Sequence, residues 1–290
     1  MEMGRKNENV DEKMTNLEVN KNITETEAWA DDEHAEVFDY LHNRPAYFLR
    51  RHYESFNEGR LLKEQATSIV GNRFFEIGCA TGELYRYIST YHKQFEYEGY
   101  DISRPAIGRA KEKYPDAKFE LLEDNQNSLV NKLGKASVVW CRDVVLHQED
   151  PYGFMEKLIS LTEEALVLRL RTREQGETYL DVNKSCQFHW DRHWVPYIVL
   201  NTNELLDFFG QHDQVSEIIV GRRFEVLGGH NFRYLPKDLY ESKTGSAETA
   251  LFVRMGKRES DKPIITYSDR QDMPTYNYLE RAAMKLINSL

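Results

Sequence analysis

The chain has 290 residues, 40% apolar and 30% charged, enough for a full hydrophobic core without disulfide or metal staples. Lys and Arg total 38 against 48 Asp and Glu, and the resulting net charge of −10 argues against a nucleic-acid partner. No apolar run is long enough to span a membrane, and Cys79, Cys141 and Cys186, odd in number and widely spaced, suit neither a disulfide framework nor a zinc knot.

Residues 1–25 are polar and charged and predict a disordered tail. They lack the apolar stretch of a signal peptide, so a reducing cytoplasm is expected. Residues 26–70 read as a helical cover anchored by Trp29, Val37, Phe38, Leu41, Phe48 and Leu49, with Pro45 interrupting it. From residue 71 the texture changes. Asn72–Ile77 is a short apolar strand, and the helix after it carries Leu84, Tyr87, Ile88 and Tyr91 at the spacing of one buried face. A second strand follows at Glu96–Asp101, then a helix at Arg104–Tyr114 opened by Pro105, and a third strand at Lys118–Leu122. Ala136–Cys141 is continuously apolar, as in a strand buried on both faces. Asp150 and Pro151 have the N-cap and first-turn chemistry of a helix running to about Thr162, and Ala165–Arg171 is a fifth strand. Strands alternating with helices at this spacing predict an α/β fold with a parallel sheet covered on both faces.

The rhythm breaks at 174–200, an insertion rich in Trp, His and Tyr. Asn201 and Glu204 then have capping-box spacing before an apolar helix, and β-type stretches recur near 215–220 and 249–254. Residues 258–290 read as a tail ending in an amphipathic helix with Leu279, Ala283, Leu286 and Leu290 on one side.

The first strand ends in Glu76-Ile77-Gly78-Cys79-Ala80-Thr81-Gly82, and a helix follows. Glycines there let backbone approach a ligand at a helix N-terminus. Asp101 closes the second strand nineteen residues after Gly82, where an acid can accept hydrogen bonds from both hydroxyls of a ribose. The ligand therefore contains a nucleoside. A dinucleotide loop wants a glycine where Ala80 stands, and the Glu76 carboxylate is awkward beside a pyrophosphate. It suits a ligand carrying an ammonium and a sulfonium, such as S-adenosylmethionine.

On these residues the sequence resembles the class I S-adenosylmethionine-dependent methyltransferases, whose first motif is an acid-x-Gly-x-x-x-Gly loop. The resemblance covers about residues 70–172 and, more loosely, reaches 257. It implies a Rossmann-like sheet of seven strands with the last antiparallel, here at Thr249–Arg254. It also implies that Ile102 packs on the adenine and that an acid after the third strand, Asp124 or Glu123, reaches the adenine amino group.

After the fourth strand stand Arg142, Asp143 and, four residues on, His147, a short pattern similar to that of phosphoethanolamine methyltransferases and related small-molecule enzymes. The similarity implies that Asp143 helps hold the acceptor and that His147 handles a proton. A helix there would put both on one face. The plainer alternative is a His147 that only hydrogen-bonds a backbone group. Arg169, Arg171 and Arg173 alternate along the fifth strand and share a face. Arg171 and Arg173, with Arg142, could grip an anionic group bidentately, or could form ion pairs with the many acids. His189 and His193 are four apart but lack the Glu of a zinc motif, so no metal is expected, and 174–200 reads as an aromatic lid presenting His193, Trp194 and Tyr197 to substrate.

The resulting expectation is one methyltransferase domain over 71–257, methylating an oxygen or nitrogen of a small anionic metabolite, with homodimerisation left open. Two other classes compete: a nicotinamide-dependent oxidoreductase, and a catalytically silent methyltransferase-like partner of another enzyme.

Overall fold

A computed structural model describes residues 27–30, 35–36, 38, 52–122, 133–189, 193–227, 233–240 and 245–268. The expected N-terminal tail, the C-terminal amphipathic helix, Glu123 and Asp124 lie outside these residues.

Two-residue alternation builds the centre of the molecule. In β1 (Arg73–Ile77), β4 (Ala136–Arg142) and β5 (Thr162–Arg173), Phe74, Val138, Trp140 and Val167 point to one face, and Phe75, Val139, Cys141 and Leu166 to the other. Both sets are buried, as the apolar run of the fourth strand predicts. The first face is covered by α1 (Asn57–Gln65), α2 (Glu83–Tyr91) and α3 (Arg104–Lys113). The second is covered by α4 (Pro151–Leu161) and α5 (Thr202–Gly210).

Local chemistry starts these helices where the sequence indicates. Ser103 caps α3 ahead of Pro105, and Asp150 caps α4 through the Gly153 N–H. The Asn201 side chain accepts from the N–H groups of Asn203 and Glu204, while its own N–H donates to Thr178 at 2.8 Å, so only half of a capping box forms.

With β2 (Glu96–Asp101), β3 (Lys118–Leu121), β9 (Val215–Phe224), β11 (Ala247–Met255) and β12 (Ile264–Tyr267), the sheet runs β12-β9-β11-β5-β4-β1-β2-β3. The first five strands in sequence are parallel, and β11 runs antiparallel to β5 with Thr249 opposite Leu170, as the resemblance implies. Two strands were not expected. The short β8 (Leu200–Asn201) pairs with the end of β5, and β12 adds an outer strand parallel to β9 inside what reads as a tail. Chain order reverses between β1 and β4, and in open α/β sheets ligands bind at the carboxyl ends of strands flanking that point.

The insertion folds as well. Its β6 (Cys186–His189) and β7 (His193–Pro196) pair antiparallel, and β10 (Arg233–Tyr234) joins β6 to give a separate three-stranded sheet. A small core of Leu146, Tyr197, Val199, Leu227, Leu235 and Leu239 fixes this sheet beside the turn that follows β4.

Candidate active site

The glycine loop leaves β1 at the switch point in a left-handed conformation, with φ of 82° at Gly78, 45° at Ala80 and 82° at Gly82. Glycine bears this freely, whereas Ala80 costs about 1–2 kcal/mol. Gly78 is also required by packing, since a Cβ there would run into the Val144 side chain. The N–H groups of Gly78 and Cys79 both donate to the Tyr100 carbonyl, at 2.8 and 3.1 Å.

Asp101 ties the loop down. Its Oδ2 accepts from the Ala80 N–H and its Oδ1 from the Ser103 N–H, each at 2.8 Å. Burial raises its pKa, and these backbone donors oppose the rise. The Ile102 N–H is a third backbone donor to this carboxylate, which has about four acceptor sites in all and so keeps room for a further donor. Ile102 follows directly and packs at the edge of the core.

Glu76 is not beside the loop but beneath it, only 6% exposed, and takes a hydrogen bond from the Tyr97 hydroxyl. Burial pushes its pKa up to about 8, while Tyr97 and the charge of Arg142 pull the other way.

After β4 the chain makes no α-helix. Asp143 has a φ of 56°, and Val145–His147 is a single tight 3-10 turn. Asp tolerates the left-handed region better than most residues, and ion pairs hold it there. Arg169 Nε lies 3.2 Å and Arg171 3.1 Å from Asp143 Oδ1. Burial works against the Asp143 charge, but Arg169, Arg171 and Arg142 outweigh it and hold the carboxyl well below the usual range. Asp143 is thus a permanent anion locked between guanidinium groups.

His147 is buried. Its Nδ1 lies 2.7 Å from the Pro196 carbonyl on the insertion sheet, and the Ile198 N–H donates to the Leu146 carbonyl at 2.8 Å. A carbonyl only accepts, so Nδ1 carries the ring proton and Nε2 the lone pair. The plainer expectation of a backbone hydrogen bond is therefore met, and that bond also orients the ring. Trp29, from a helical turn at Glu27–Ala30, packs on the imidazole with ring centroids 4.6 Å apart. Burial lowers the pKa of His147 to about 4, against the Pro196 carbonyl and Asp143.

The arginine expectations need correction. Arg173 does not face the cleft: it is 1% exposed, donates to the Gln175 carbonyl at 2.6 Å and pairs with Asp238. Arg142 turns toward α1, where it pairs with Glu58 at 2.9 Å and lies over the Phe56 ring at 4.4 Å. Arg169 joins the same group, 3.4 Å from Glu58 and 2.8 Å from Glu248. Of the three predicted arginines only Arg171 reaches the space around His147, and it is already tied to Asp143. Trp194 stacks on its cross-strand partner Phe188 at 5.2 Å, which is hairpin packing, while for His193 only the backbone position in β7 is described. Tyr197 does point inward. It is 2% exposed, 6.1 Å from the His147 ring, and its hydroxyl lies beside Arg171 without a well-directed hydrogen bond.

One neighbour was missed. The Arg233 guanidinium, on β10, sits 4.4 Å over the Tyr197 ring, and burial together with the charge of Arg171 lowers its pKa. The sequence marks Arg233 only as part of a loop, because its place depends on β10 pairing with β6, more than forty residues earlier.

A glycine loop at the switch point of an open α/β sheet, beside a buried cluster of charged and aromatic side chains, narrows the class, and comparison supplies it. The sequence profile of the methyltransferase domain family matches residues 36–213, more than half of the chain, which therefore belongs to the class I S-adenosylmethionine-dependent methyltransferases. The family is one of methyltransferases, so the nicotinamide-dependent oxidoreductase alternative is set aside. Among solved structures the chain is similar to phosphoethanolamine N-methyltransferase 2 of Haemonchus contortus in complex with phosphomonomethylethanolamine and S-adenosylhomocysteine, at 10% identity over 81% of this chain and 60% of that one, with a TM-score of 0.53. The O-methyltransferase of a Brevibacillus brevis trans-AT PKS multienzyme, in complex with S-adenosylhomocysteine, matches at 13% identity over 77% of this chain and 79% of that one, with a TM-score of 0.49. Magnesium protoporphyrin IX methyltransferase from Synechocystis with bound S-adenosylmethionine matches at 15%, over 77% and 97%, with a TM-score of 0.40. A search of curated proteins finds no significant match.

Proposed function

We propose that the protein transfers the methyl group of S-adenosylmethionine to an oxygen or nitrogen of a small anionic metabolite. The observation that carries this reading is the convergence of His147, Tyr197, Asp143, Arg171 and Arg233 beyond the carboxyl ends of β4 and β5, next to the glycine loop. The cofactor supplies a methyl made electrophilic by its sulfonium. Asp101 takes the ribose hydroxyls, Ile102 lies along the adenine, the acid for the adenine amino group is Asp124 or Glu123 by family resemblance, and Gly78, Ala80 and Gly82 let the backbone approach.

On the acceptor side, the roles follow from charge. Asp143, paired through Oδ1 with Arg169 and Arg171, stays ionised and is too weak a base to take a proton. His147 presents an unprotonated Nε2 at neutral pH and is the proton acceptor for a hydroxyl substrate, a role worth about 10²–10⁴-fold in rate. Arg171 and Arg233 flank the buried Tyr197 hydroxyl, and two guanidinium groups in one poorly solvated space favour an anionic guest. The insertion sheet carries Tyr197 and Arg233 and acts as the lid.

The test is transfer of radiolabelled methyl from S-adenosylmethionine into fractions of a cell extract separated by anion exchange. Label is expected in a low-molecular-weight, retained fraction, and Arg233→Leu should raise the acceptor KM at least tenfold with a smaller effect on kcat. Label only in unretained compounds would refute the anionic acceptor. Cofactor binding without any transfer would favour the silent partner.

A further inference from the structure

Glu76 and Tyr97 form a buried pair that the methyl-transfer chemistry does not use. Glu76 stands opposite Gly99 in the β1–β2 register, and Tyr97 lies two residues before Gly99 on the same face of β2. A Cβ at Gly99 would come within 2.8 Å of the Tyr97 hydroxyl, so glycine here leaves the phenol room to reach Glu76. Burial outweighs the pull of Tyr97 and of the Arg142 charge on Glu76. The charged and titratable groups that act on it are Tyr97 and Asp101 from β2, Glu83 from α2, Arg142 from the end of β4 and Cys79 from the loop, with Cys141 on the opposite face of β4. Arg142 is the nearby cation, and it spends its charge on Glu58. Among the described residues no cation lies within ion-pair distance of Glu76, while Glu83 is itself paired with Lys113 and Asp101 is satisfied by backbone N–H groups. An unpaired buried carboxyl beside other acids stays neutral.

We propose that Glu76 is protonated in the cofactor-free enzyme and ionises when the ammonium of the cofactor's amino-acid part arrives, so that cofactor binding releases about one proton. The carboxyl O–H bond breaks with its electron pair left on oxygen, the proton passes to solvent, and the ammonium keeps its three N–H bonds. This rests on the reading of Glu76 as the ammonium partner, and it makes affinity depend on pH in a direction the other contacts do not. With burial holding Glu76 up at about 8, about nine-tenths of the protein is protonated at pH 7 and about a quarter at pH 8.5. Affinity should then fall by up to tenfold for each pH unit below 8 and level off above it.

The experiment is titration calorimetry of S-adenosylhomocysteine into the full chain in phosphate and in Tris, whose ionisation enthalpies differ, between pH 6 and 8.5. Wild type should release close to 0.9 proton at pH 7, less at higher pH. Glu76→Gln, a near-isostere of the neutral carboxyl, should bind with no proton release and no rise in affinity up to pH 8. Tyr97→Phe removes the hydrogen bond that favours ionisation and should move the whole profile to higher pH, which keeps the test alive if Glu76→Gln fails to fold. Tight binding without proton release in wild type, or equal release in Glu76→Gln, overturns the proposal while leaving the cofactor site intact. No binding at any pH would overturn both.

Discussion

Replacing His147 by Gln tests the stability and the chemistry of the site in one variant. The imidazole is buried, with an ordinary value of 6.5 that the fold lowers to about 4. Between those values the unfolded chain binds the proton and the folded chain does not. The contribution of the neutral ring is therefore complete above pH 6.5 and is lost as pH falls toward 4. The full span is about 2.5 units, or about 3 kcal/mol, and the part between pH 7 and pH 5 is about 2 kcal/mol. Gln can still donate to the Pro196 carbonyl but does not titrate. Urea unfolding of both proteins should show the stability of wild type relative to the variant falling by about 2 kcal/mol from pH 7 to pH 5. Comparing the two cancels Glu76, which is common to both. In turnover, His147→Gln should cost about 10²–10⁴-fold with a hydroxyl acceptor and much less with a neutral amine, with S-adenosylhomocysteine affinity nearly unchanged. Any acidic limb above pH 5 would belong to another group. A stability difference flat in pH would refute the buried neutral ring, and full turnover in the variant would reduce His147 to a latch for the insertion sheet.

Asp101→Ala should weaken S-adenosylhomocysteine binding by about 1.5–3 kcal/mol per lost charged hydrogen bond, read by calorimetry, and it also frees the Ala80 N–H that pins the loop. Unchanged affinity would remove Asp101 from the site. Glu58→Gln leaves Arg142 and Arg169 short of a buried counter-charge and should cost about 3–5 kcal/mol in urea unfolding; an unchanged midpoint would mean those guanidinium groups find their charge elsewhere. Hydrogen exchange over Cys186–Pro196 should slow when acceptor is added with S-adenosylhomocysteine, and protection confined to residues 76–102 would defeat the lid reading.

What the sequence made legible is what short-range periodicity encodes. The strand–helix alternation from β1 to β5 follows from two-residue and i, i+3, i+4 spacing, and the N-caps of α3, α4 and α5 from single side chains. Gly78, Gly82 and Asp101 could be paired because a glycine loop and an acid one strand later have a fixed geometric meaning. Asp143 was found by motif, but its environment was not, since Arg169 and Arg171 reach it from β5, more than twenty-five residues away. A still longer separation, 65 residues, hides the partner of Arg173, which is Asp238 on a later turn. The helix expected directly after β4 does not form: the Asp143 N–H extends the β4–β5 ladder to the Arg169 carbonyl at 2.9 Å, Asp143 itself is left-handed, and only a 3-10 turn follows before α4. The insertion reads as a loop because its strands are four residues long and one of its three partners comes from Arg233–Tyr234.

Two neutral groups that titrate between pH 4 and 8, His147 and Glu76, act in opposite senses, and their sum says when the cofactor matters most. His147 makes the fold more stable as pH rises from about 4 to 6.5. Glu76, neutral in the fold up to about 8 against an ordinary 4.5, makes it less stable as pH rises between those values. Each changes by about 1.4 kcal/mol per pH unit in its window, so from pH 4.5 to 6.5 they cancel. Of these two groups only Glu76 still titrates from pH 6.5 to 8, and the empty fold loses about 2 kcal/mol from it. An ammonium delivered to Glu76 removes that loss by pairing the charge. The stabilisation conferred by S-adenosylhomocysteine should therefore widen from pH 6.5 to pH 8. On the proposed acceptor site, Arg171 and Arg233 keep their charge throughout this range, so acceptor binding should lack this dependence. Cofactor capture and acceptor capture are separable by pH alone because one side of the cleft stores its charge as a proton and the other keeps it fixed.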